Sequence, residues 1–182
     1  MCFRVDLGID PYAMETIIFG EDISMKIAIG SDKSGFSAKE AIRAYLTEAG
    51  VAFDDLGTVT LDEVHPYYEV ASKVAPLVQD GTYDYAVLIC GTGAGMSVVA
   101  NKYKGVHAVA CEGVYSAKMA RAINNAKVLC MGGWIVGPEM AVEMVKTFLA
   151  TDWCQDLEDW RAENMHKFAG KVAAIEDACY GK

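Results

Sequence analysis

A single cysteine stands where an apolar run gives way to a glycine-rich turn. In the stretch "YAVLICGTGAGMSVVANK", residues 85–102, Cys90 directly precedes the series Gly91, Gly93 and Gly95. Glycines let the backbone turn sharply and present its N–H groups, and a helix that starts at such a turn adds positive potential. Thiols beside helix N-termini ionise readily and act as bases or nucleophiles. The stretch therefore predicts a binding turn for an anion or oxyanion, with a reactive thiol at its edge.

The same stretch differs from two common phosphate-binding motifs. No GK[ST] follows the glycines, as a P-loop requires, and the third glycine of the GxGxxG dinucleotide motif is absent. Thr92, inside the turn, has a hydroxyl of the kind that stabilises an enolate. A buried cysteine with only a packing role is the alternative interpretation of Cys90.

Short apolar runs alternate with amphipathic segments, which predicts an α/β protein. We expect a Rossmann-like, doubly wound sheet of about five parallel strands, with flanking helices and a C-terminal helix. The predicted strands are 25–30, 51–57, 83–90, 105–111 and 127–133, and the predicted helices are 37–49, one within 65–81, one from 95, then 114–125, 137–151 and about 157–179. Ligands of such sheets bind at the carboxyl ends of strands, near the switch in strand order, and Asp32 and Cys90 both fall at such ends.

Two of these elements carry more specific signals. The continuous apolar run that ends at Cys90 predicts a strand buried on both faces, as in the middle of a parallel sheet. In the first helix, Ser37 with Glu40 three residues later predicts a capping box at the helix N-terminus.

Composition and charge limit the possible classes of function. The chain has 182 residues, of which 53 % are hydrophobic, and a net charge of −9. Met25 opens the first convincing strand, so we expect a single domain over 25–182 preceded by an N-terminal extension, 1–24. The negative charge argues against a nucleic-acid partner, and no apolar run is long enough to span a membrane. Six cysteines without a CxxC pair are typical of a reducing compartment, which predicts a cytoplasmic protein.

Three blocks of the sequence resemble one enzyme family. They are "GSDKSGF" after the first strand, "CGTGAGMSVVANK" after the third, and "YSAKMARAINNAKVL" in and after the fourth helix. Together with the strand order, they are similar to the family of ribose-5-phosphate isomerase B and galactose-6-phosphate isomerase, over about residues 25–150. The resemblance implies an aldose–ketose isomerase that acts on a sugar phosphate and uses no metal and no cofactor. It also implies a homodimer or dimer of dimers, with sites at the subunit interface.

The resemblance further implies roles for individual residues. Cys90 takes the place of the family's cysteine base, which moves a proton between C1 and C2 through a cis-enediolate. Thr92 and the amides of Gly91, Gly93 and Gly95 would hold the developing oxyanion. The remaining substrate-binding candidates are Asp32, Lys33, His65, Met96, Asn124 and Arg161, of which Asp32 and Asn124 match family residues that bind substrate hydroxyls.

One departure from the family concerns ring opening. Ile123 stands where pentose-specific members have a ring-opening histidine. A tetrose 4-phosphate cannot close a furanose ring, because its C4 oxygen is esterified, and it needs no ring opener. The sequence therefore favours a short open-chain substrate such as a tetrose phosphate, with ribose 5-phosphate as the competing substrate. In the competing case His65, near a family tyrosine that faces substrate, would open the ring.

A second departure concerns phosphate recognition. Trp134 follows the fifth strand where the family commonly has an arginine, and His107 replaces another. Arg161 is the preferred replacement, because a guanidinium binds phosphate through two parallel hydrogen bonds, and Lys33 and Lys127 are further candidates. An unphosphorylated sugar stays possible at this point. So does a non-catalytic or partner-dependent sugar-phosphate-binding subunit of a hetero-oligomeric isomerase.

Overall fold

The computed structural model describes residues 25–181. Five parallel strands form one sheet in the order β2-β1-β3-β5-β4. The strands are β1 Ile27–Ser31, β2 Phe53–Asp55, β3 Tyr85–Cys90, β4 Ala108–Ala110 and β5 Val128–Gly132. The helices are α1 Phe36–Glu48, α2 Tyr67–Gln79, α3 Ala94–Ala100, α4 Val114–Ala122, α5 Pro138–Leu149 and α6 Asp159–Tyr180. The predicted doubly wound α/β fold is confirmed. The predicted extension 1–24 lies outside the described residues, and the single-domain assignment stays a prediction.

β3 is the middle strand of the sheet and is buried on both faces, as its apolar run predicts. Successive side chains of a strand point to opposite faces. Val87 and Ile89 join a core cluster that is covered by α1, α4 and α5, and Leu88 and Cys90 join a second cluster that is covered by α2 and α3. The thiol therefore lies on the face of the sheet that α2 and α3 cover.

The strand order places its switch point beside Cys90. β1 pairs with β2 on one side and with β3 on the other, so the chain changes side between β2 and β3. Ser31 pairs with Ile89, which brings the residues that follow each, Asp32 and Cys90, to the same edge of the sheet. The crevice beyond the carboxyl ends of these two strands is where such folds bind ligands, as the sequence predicts.

The predicted capping box of α1 is wrong. The helix starts at Phe36, its N-cap residue is Gly35, and no side chain caps it. Glu40 instead pairs with Lys39 at 2.7 Å and with Arg43 at 2.6 Å. Ser37 is the second residue of the helix and lies past the cap position, while the carboxylate of Asp32 accepts from the N–H groups of Ser34 and Gly35, which precede the helix.

The C-terminal helix α6 lies outside both core clusters, and none of its residues is buried. Polar contacts at its far end hold it to the loop before β4: Lys104 Nζ lies 2.7 Å from Asp177 Oδ1, and the Tyr180 hydroxyl donates to the carbonyl of Asn101. Across residues 25–181, no helix combines the length and the apolarity needed to cross a membrane.

Candidate active site

The sulfur of Cys90 is held by the turn that follows β3. The backbone N–H of Gly93 donates a hydrogen bond to Cys90 Sγ across 3.2 Å. Gly93 is the N-cap residue of α3 and has a φ of 77°, a left-handed conformation that glycine adopts without steric cost. This bond fixes the position of the sulfur relative to the turn. Cys90 is 5 % exposed, so its sulfur lies just beneath the surface of the turn.

Free backbone donors adjoin the thiol. The first three N–H groups of a helix have no acceptor within it, and in α3 these belong to Ala94, Gly95 and Met96. The N–H of Ser97 is the first that bonds back, to the carbonyl of Gly93 at 3.1 Å. Thr92 is exposed beside these amides. The turn thus has the donors that an oxyanion requires.

Met96 needs a correction as a substrate-binding side chain. It is fully buried in the cluster under α2 and α3, because it is the apolar residue through which the first turn of α3 packs on the sheet.

Asp32 closes its own loop at the carboxyl end of β1. Its N–H donates to the carbonyl of Ile89 at 3.1 Å, and its Oδ1 accepts from the N–H groups of Ser34 and Gly35 at 2.8 and 3.1 Å. The carboxylate is half-buried, and Oδ2 takes no part in these bonds. Lys33 is exposed on the same loop. The structure therefore brings Asp32 and Lys33 to the edge of the sheet where Cys90 lies, and their substrate contacts stay predictions.

Two aromatic side chains flank the glycine turn. A Cβ built on Gly91 would lie 2.8 Å from ring atoms of Trp134, and a Cβ built on Gly95 would lie 2.9 Å from ring atoms of Tyr67. Trp134 was noted only as the replacement of a family arginine, and Tyr67 was not among the predicted site residues. The signals were the aromatic pair in "HPYY" and the tryptophan after the last strand, but neither spacing shows which glycine a ring contacts.

His65 lies at the same end of the sheet, but its contacts are with Thr58 and Glu69 and not with the glycine turn. Its N–H donates to Thr58 Oγ1 at 3.0 Å, and its Nδ1 lies 3.9 Å from Glu69 Oε2. The residue lines a small cavity of about 120 Å³ with Lys73 and Glu69. In this conformation Tyr67, two residues later, is the side chain that contacts the glycine turn. A ring-opening role for His65 stays a prediction.

Asn124 lies at the opposite end of the sheet from Cys90 of the same chain. It follows α4 and precedes β5, whose first residue, Val128, pairs with Ala86 at the start of β3. Cys90 pairs with Gly132 at the other end of that ladder, about 13 Å further along the strands. One chain therefore does not bring Asn124 and Cys90 together.

Arg161 is also remote from the Cys90 of its own chain. The segment before α6 is fixed beside the end of α4 by a hydrogen bond from the N–H of Cys154 to the carbonyl of Ala122 at 2.9 Å. Arg161 itself is exposed, with its Nε 3.6 Å from Glu158 and its guanidinium over the ring of Trp160. Neither contact holds it toward the glycine turn.

A cavity of about 490 Å³ opens at this amino end of the sheet. Its polar lining includes His107, Asn124 and Asn125, and its apolar lining includes Trp153 and Phe168. The cavity is therefore a second concave surface, separate in one chain from the turn that carries Cys90.

The other buried thiols differ from Cys90 in their surroundings. Burial raises the pKa of Cys130 well above that of a free thiol, and negative charge on Cys90 or Cys111 raises it further. Burial also raises the pKa of Cys111, against a hydrogen bond with Ser116 that lowers it. Both residues stay thiols under ordinary conditions and suit packing rather than catalysis.

Metal ligands are not grouped in the described part of the chain. Residues 25–181 contain no cluster of three or more His, Cys, Asp or Glu side chains placed to hold an ion. Independence from metals and cofactors stays a prediction.

Several known proteins are related to this chain in sequence and in fold. The family model described as Ribose/Galactose Isomerase matches residues 27–165. A 4-deoxy-4-sulfo-D-erythrose isomerase of Clostridium sp. (strain MSTE9) is 47 % identical over 158 residues, which are 87 % of this chain and 99 % of that protein. D-erythrulose-4-phosphate isomerase 2 of Mycolicibacterium smegmatis is 41 % identical, over 72 % of this chain and 88 % of that protein.

The fold agrees with these relationships. The solved ribose-5-phosphate isomerase B of Clostridium thermocellum superposes with a TM-score of 0.74 at 36 % identity, and the match covers 85 % of this chain and 99 % of that one. Sequence and fold together show that this chain belongs to the ribose/galactose isomerase family and is an aldose–ketose isomerase.

Proposed function

We propose that this enzyme interconverts an open-chain four-carbon aldose and its 2-ketose, with a phosphate or sulfonate on C4 and Cys90 as the base. The observation that carries the proposal is the hydrogen bond from the Gly93 N–H to the Cys90 sulfur, beside a turn with free amides. A base and an oxyanion site next to each other are the two requirements of enediolate chemistry.

The proton transfer needs no other reagent. The Cys90 thiolate takes the proton from C2 of the aldose, and the electrons of that C–H bond form the C1–C2 double bond of a cis-enediolate. The charge develops on O1, where Thr92 and the amides at the start of α3 would donate to it. The thiol then returns its proton to C1, and the hydroxyl proton of O2 passes to O1, so that O1 ends as a hydroxyl and O2 as the ketone oxygen.

The substrate length rests on the missing ring opener. Ile123 replaces the family's ring-opening histidine, and a sugar with a phosphate ester at C4 has no free C4 hydroxyl with which to close a furanose. A 4-deoxy-4-sulfo sugar lacks the C4 oxygen altogether, so it too stays open. Both curated relatives described above are named for four-carbon substrates, one a sulfonate and one a phosphate. These names support a tetrose for this chain and leave the C4 substituent to be measured.

The remote position of Asn124 supports a site built from two copies of the chain. If Asn124 binds substrate hydroxyls while Cys90 moves the proton, the two residues must come from different subunits, because one chain places them at opposite ends of its sheet. In a two-fold dimer, Cys90 of each copy faces Asn124 of the other copy. The same contact therefore occurs twice, which gives two identical composite sites. The cavity beside Asn124 would then face the glycine turn of the second copy.

The surface of α6 supports the same assembly. Phe168, Val172 and Ile175 recur on one side of this helix and are 49 %, 43 % and 63 % exposed. A row of apolar side chains at this spacing is ordinarily covered by another surface. We therefore propose a homodimer, or a dimer of dimers, in which a second copy covers α6.

Cysteine usage supports a cytoplasmic location as part of the same proposal. All five cysteines within residues 25–181 are free thiols, three of them buried. Free thiols persist in a reducing compartment.

Replacement of the thiol tests the catalytic step. Cys90→Ala is expected to lower kcat by about 10²–10⁴-fold, because the general base is removed. Exchange of the C2 proton with deuterium from heavy water, followed by NMR, is expected to disappear with it. Cys179→Ala, an exposed cysteine near the end of α6, is the matched control and should retain both activities. Persistent exchange in Cys90→Ala would place the base elsewhere.

A substrate panel tests the chain length. Erythrose 4-phosphate, 4-deoxy-4-sulfoerythrose and ribose 5-phosphate are each assayed with the wild-type enzyme for kcat/KM. We expect at least one four-carbon substrate to exceed ribose 5-phosphate. A higher kcat/KM for ribose 5-phosphate than for either tetrose would refute the open-chain assignment, while the thiol mechanism would still stand on the Cys90→Ala result.

Complementation tests the composite site. Cys90→Ala and Asn124→Ala chains are each expected to be nearly inactive alone. After the subunits are mixed and exchanged, about a quarter of all sites should combine an intact Cys90 with an intact Asn124, and activity should return to that level. No recovery after exchange, shown by mass spectrometry to have occurred, would contradict a site shared between two copies.

A further inference from the structure

The turn after β5 is fastened to the catalytic turn by backbone hydrogen bonds. The N–H of Gly133 donates to the carbonyl of Cys90 at 2.8 Å, and the N–H of Trp134 donates to the carbonyl of Gly91 at 3.1 Å. A Cβ on Gly133 would overlap the carbonyl oxygen of Ser34, so this turn also touches the loop that carries Asp32. Trp134 therefore has a fixed position where the ends of β1, β3 and β5 meet.

The indole of Trp134 lies against Gly91 and is otherwise largely exposed. Three of its ring atoms would lie within 2.9 Å of a Cβ on Gly91, so the ring lies directly against that glycine. Even so, the residue is 75 % exposed. A large aromatic ring that lies against the residue after Cys90 and is otherwise exposed is well placed to contact a substrate.

The loops at this edge of the sheet have little positive charge with which to bind an anion. The loops that follow the five strands, 32–35, 56–66, 91–93, 111–113 and 133–137, contain one lysine, Lys33, and no arginine. The nearby Lys39 is fully buried and pairs with Glu40 and Asp55, so it is not available to a ligand. An extra polar or charged group brought against the indole would thus lose water without gaining a cation from these loops.

We infer that Trp134 is a specificity-determining residue, whose indole forms the apolar wall that limits the substrate to a short open chain. The inference rests on the proposed function. In the proposed reaction the reacting carbons lie at Cys90. The next residue along the turn is Gly91, and the indole of Trp134 covers it. A fifth carbon and its hydroxyl would meet the indole, either by steric overlap or by loss of hydration.

The test compares four-carbon and five-carbon substrates in variants at position 134. The measured quantity is kcat/KM for ribose 5-phosphate divided by kcat/KM for the better four-carbon substrate. Trp134→Ala is expected to raise this ratio at least about tenfold, the size of effect that a pocket wall has on one carbon. Trp134→Phe, which keeps an aromatic wall, should lie closer to wild type. Ile135→Ala changes the adjacent residue, 50 % exposed, and is the matched control with an unchanged ratio.

A binding measurement separates this inference from the proposed function. Erythritol 4-phosphate and ribitol 5-phosphate are open-chain alcohols that cannot isomerise, so their Kd values report the wall without catalysis. Wild type should bind the four-carbon alcohol more tightly, and Trp134→Ala should remove the difference.

If wild type isomerises no tetrose, the proposed function fails. The role of Trp134 is then decided by the Kd values of erythritol 4-phosphate and ribitol 5-phosphate: a difference in wild type that Trp134→Ala removes supports the wall, and no difference overturns it. If wild type prefers a tetrose and Trp134→Ala leaves both ratios unchanged, the wall is overturned and the function stands. A shift in Trp134→Arg without one in Trp134→Ala also overturns it, because charge and not size would then set the preference.

Discussion

Gly93 lies against the main chain of Met131, so closely that a Cβ on Gly93 would be 2.8 Å from the Met131 carbonyl carbon. Gly93 also has a left-handed φ of 77° and donates the hydrogen bond to the Cys90 sulfur. Backbone conformation, packing against β5 and the hydrogen bond to the sulfur thus all constrain the same residue. This contact joins the turn after β3 to β5, the neighbouring strand.

Gly93→Ala is expected to cost more stability than left-handed strain alone, which is about 1–2 kcal/mol. Gly81→Ala is the matched control, because Gly81 has a φ of 82° and nothing within 4 Å of its Cβ position. Urea unfolding should show a distinctly larger loss of unfolding free energy for Gly93→Ala. Equal losses would mean that the turn moves away from β5 without cost.

Cys90 is expected to be the thiol whose alkylation removes activity. Iodoacetamide reacts with thiolates, and burial keeps Cys130 and Cys111 protonated by raising the pKa of each. Peptide mass spectrometry at pH 8 should find Cys90 modified in step with inactivation, and substrate should slow the reaction. Inactivation with Cys90 unmodified would contradict the assignment.

Thr92→Val is expected to lower kcat by about 10²-fold, because in the proposed mechanism it removes a hydroxyl that donates to the oxyanion in the transition state. Thr92 is exposed, so the unfolding free energy should change by no more than about 0.5 kcal/mol. Thr92→Ser keeps the hydroxyl and is the control. The measurement is kcat from steady-state kinetics. Equal kcat values for Thr92→Val and Thr92→Ser would show that the backbone amides stabilise the oxyanion without the hydroxyl.

Acid stability should depend on Glu40. Although burial alone raises the pKa of Glu40, hydrogen bonds and positive charge from Lys39 and Arg43 lower it overall from its ordinary value of 4.5. A lowered folded-state pKa gives stability that is fully present above pH 4.5 and is lost as the pH falls through the folded value. In urea titrations below pH 4.5, wild type should therefore lose more stability than Glu40→Gln. Glu48→Gln, at the exposed end of the same helix, should follow wild type.

Most of the difference between prediction and structure concerns contacts between distant segments. Ser37 and Glu40 have the spacing of a capping box, but the loop that Asp32 ties to the end of β3 starts the helix at Phe36, with Gly35 at the N-cap position. Met96 belongs to the glycine-rich motif, yet its side chain points into the core because the first turn of α3 packs on the sheet.

The amino-acid sequence by itself determined the alternation of strands and helices, the double burial of β3 and the edge of the sheet where Asp32 and Cys90 lie. Hydrophobic period and glycine position are local properties, and they are sufficient for such features. Only the tertiary structure decided that Trp134 covers Gly91 and that Asn124 lies at the far end of the sheet from Cys90. These relationships depend on which strands are neighbours and on how far each helix carries the chain back, and no short stretch of sequence encodes either one.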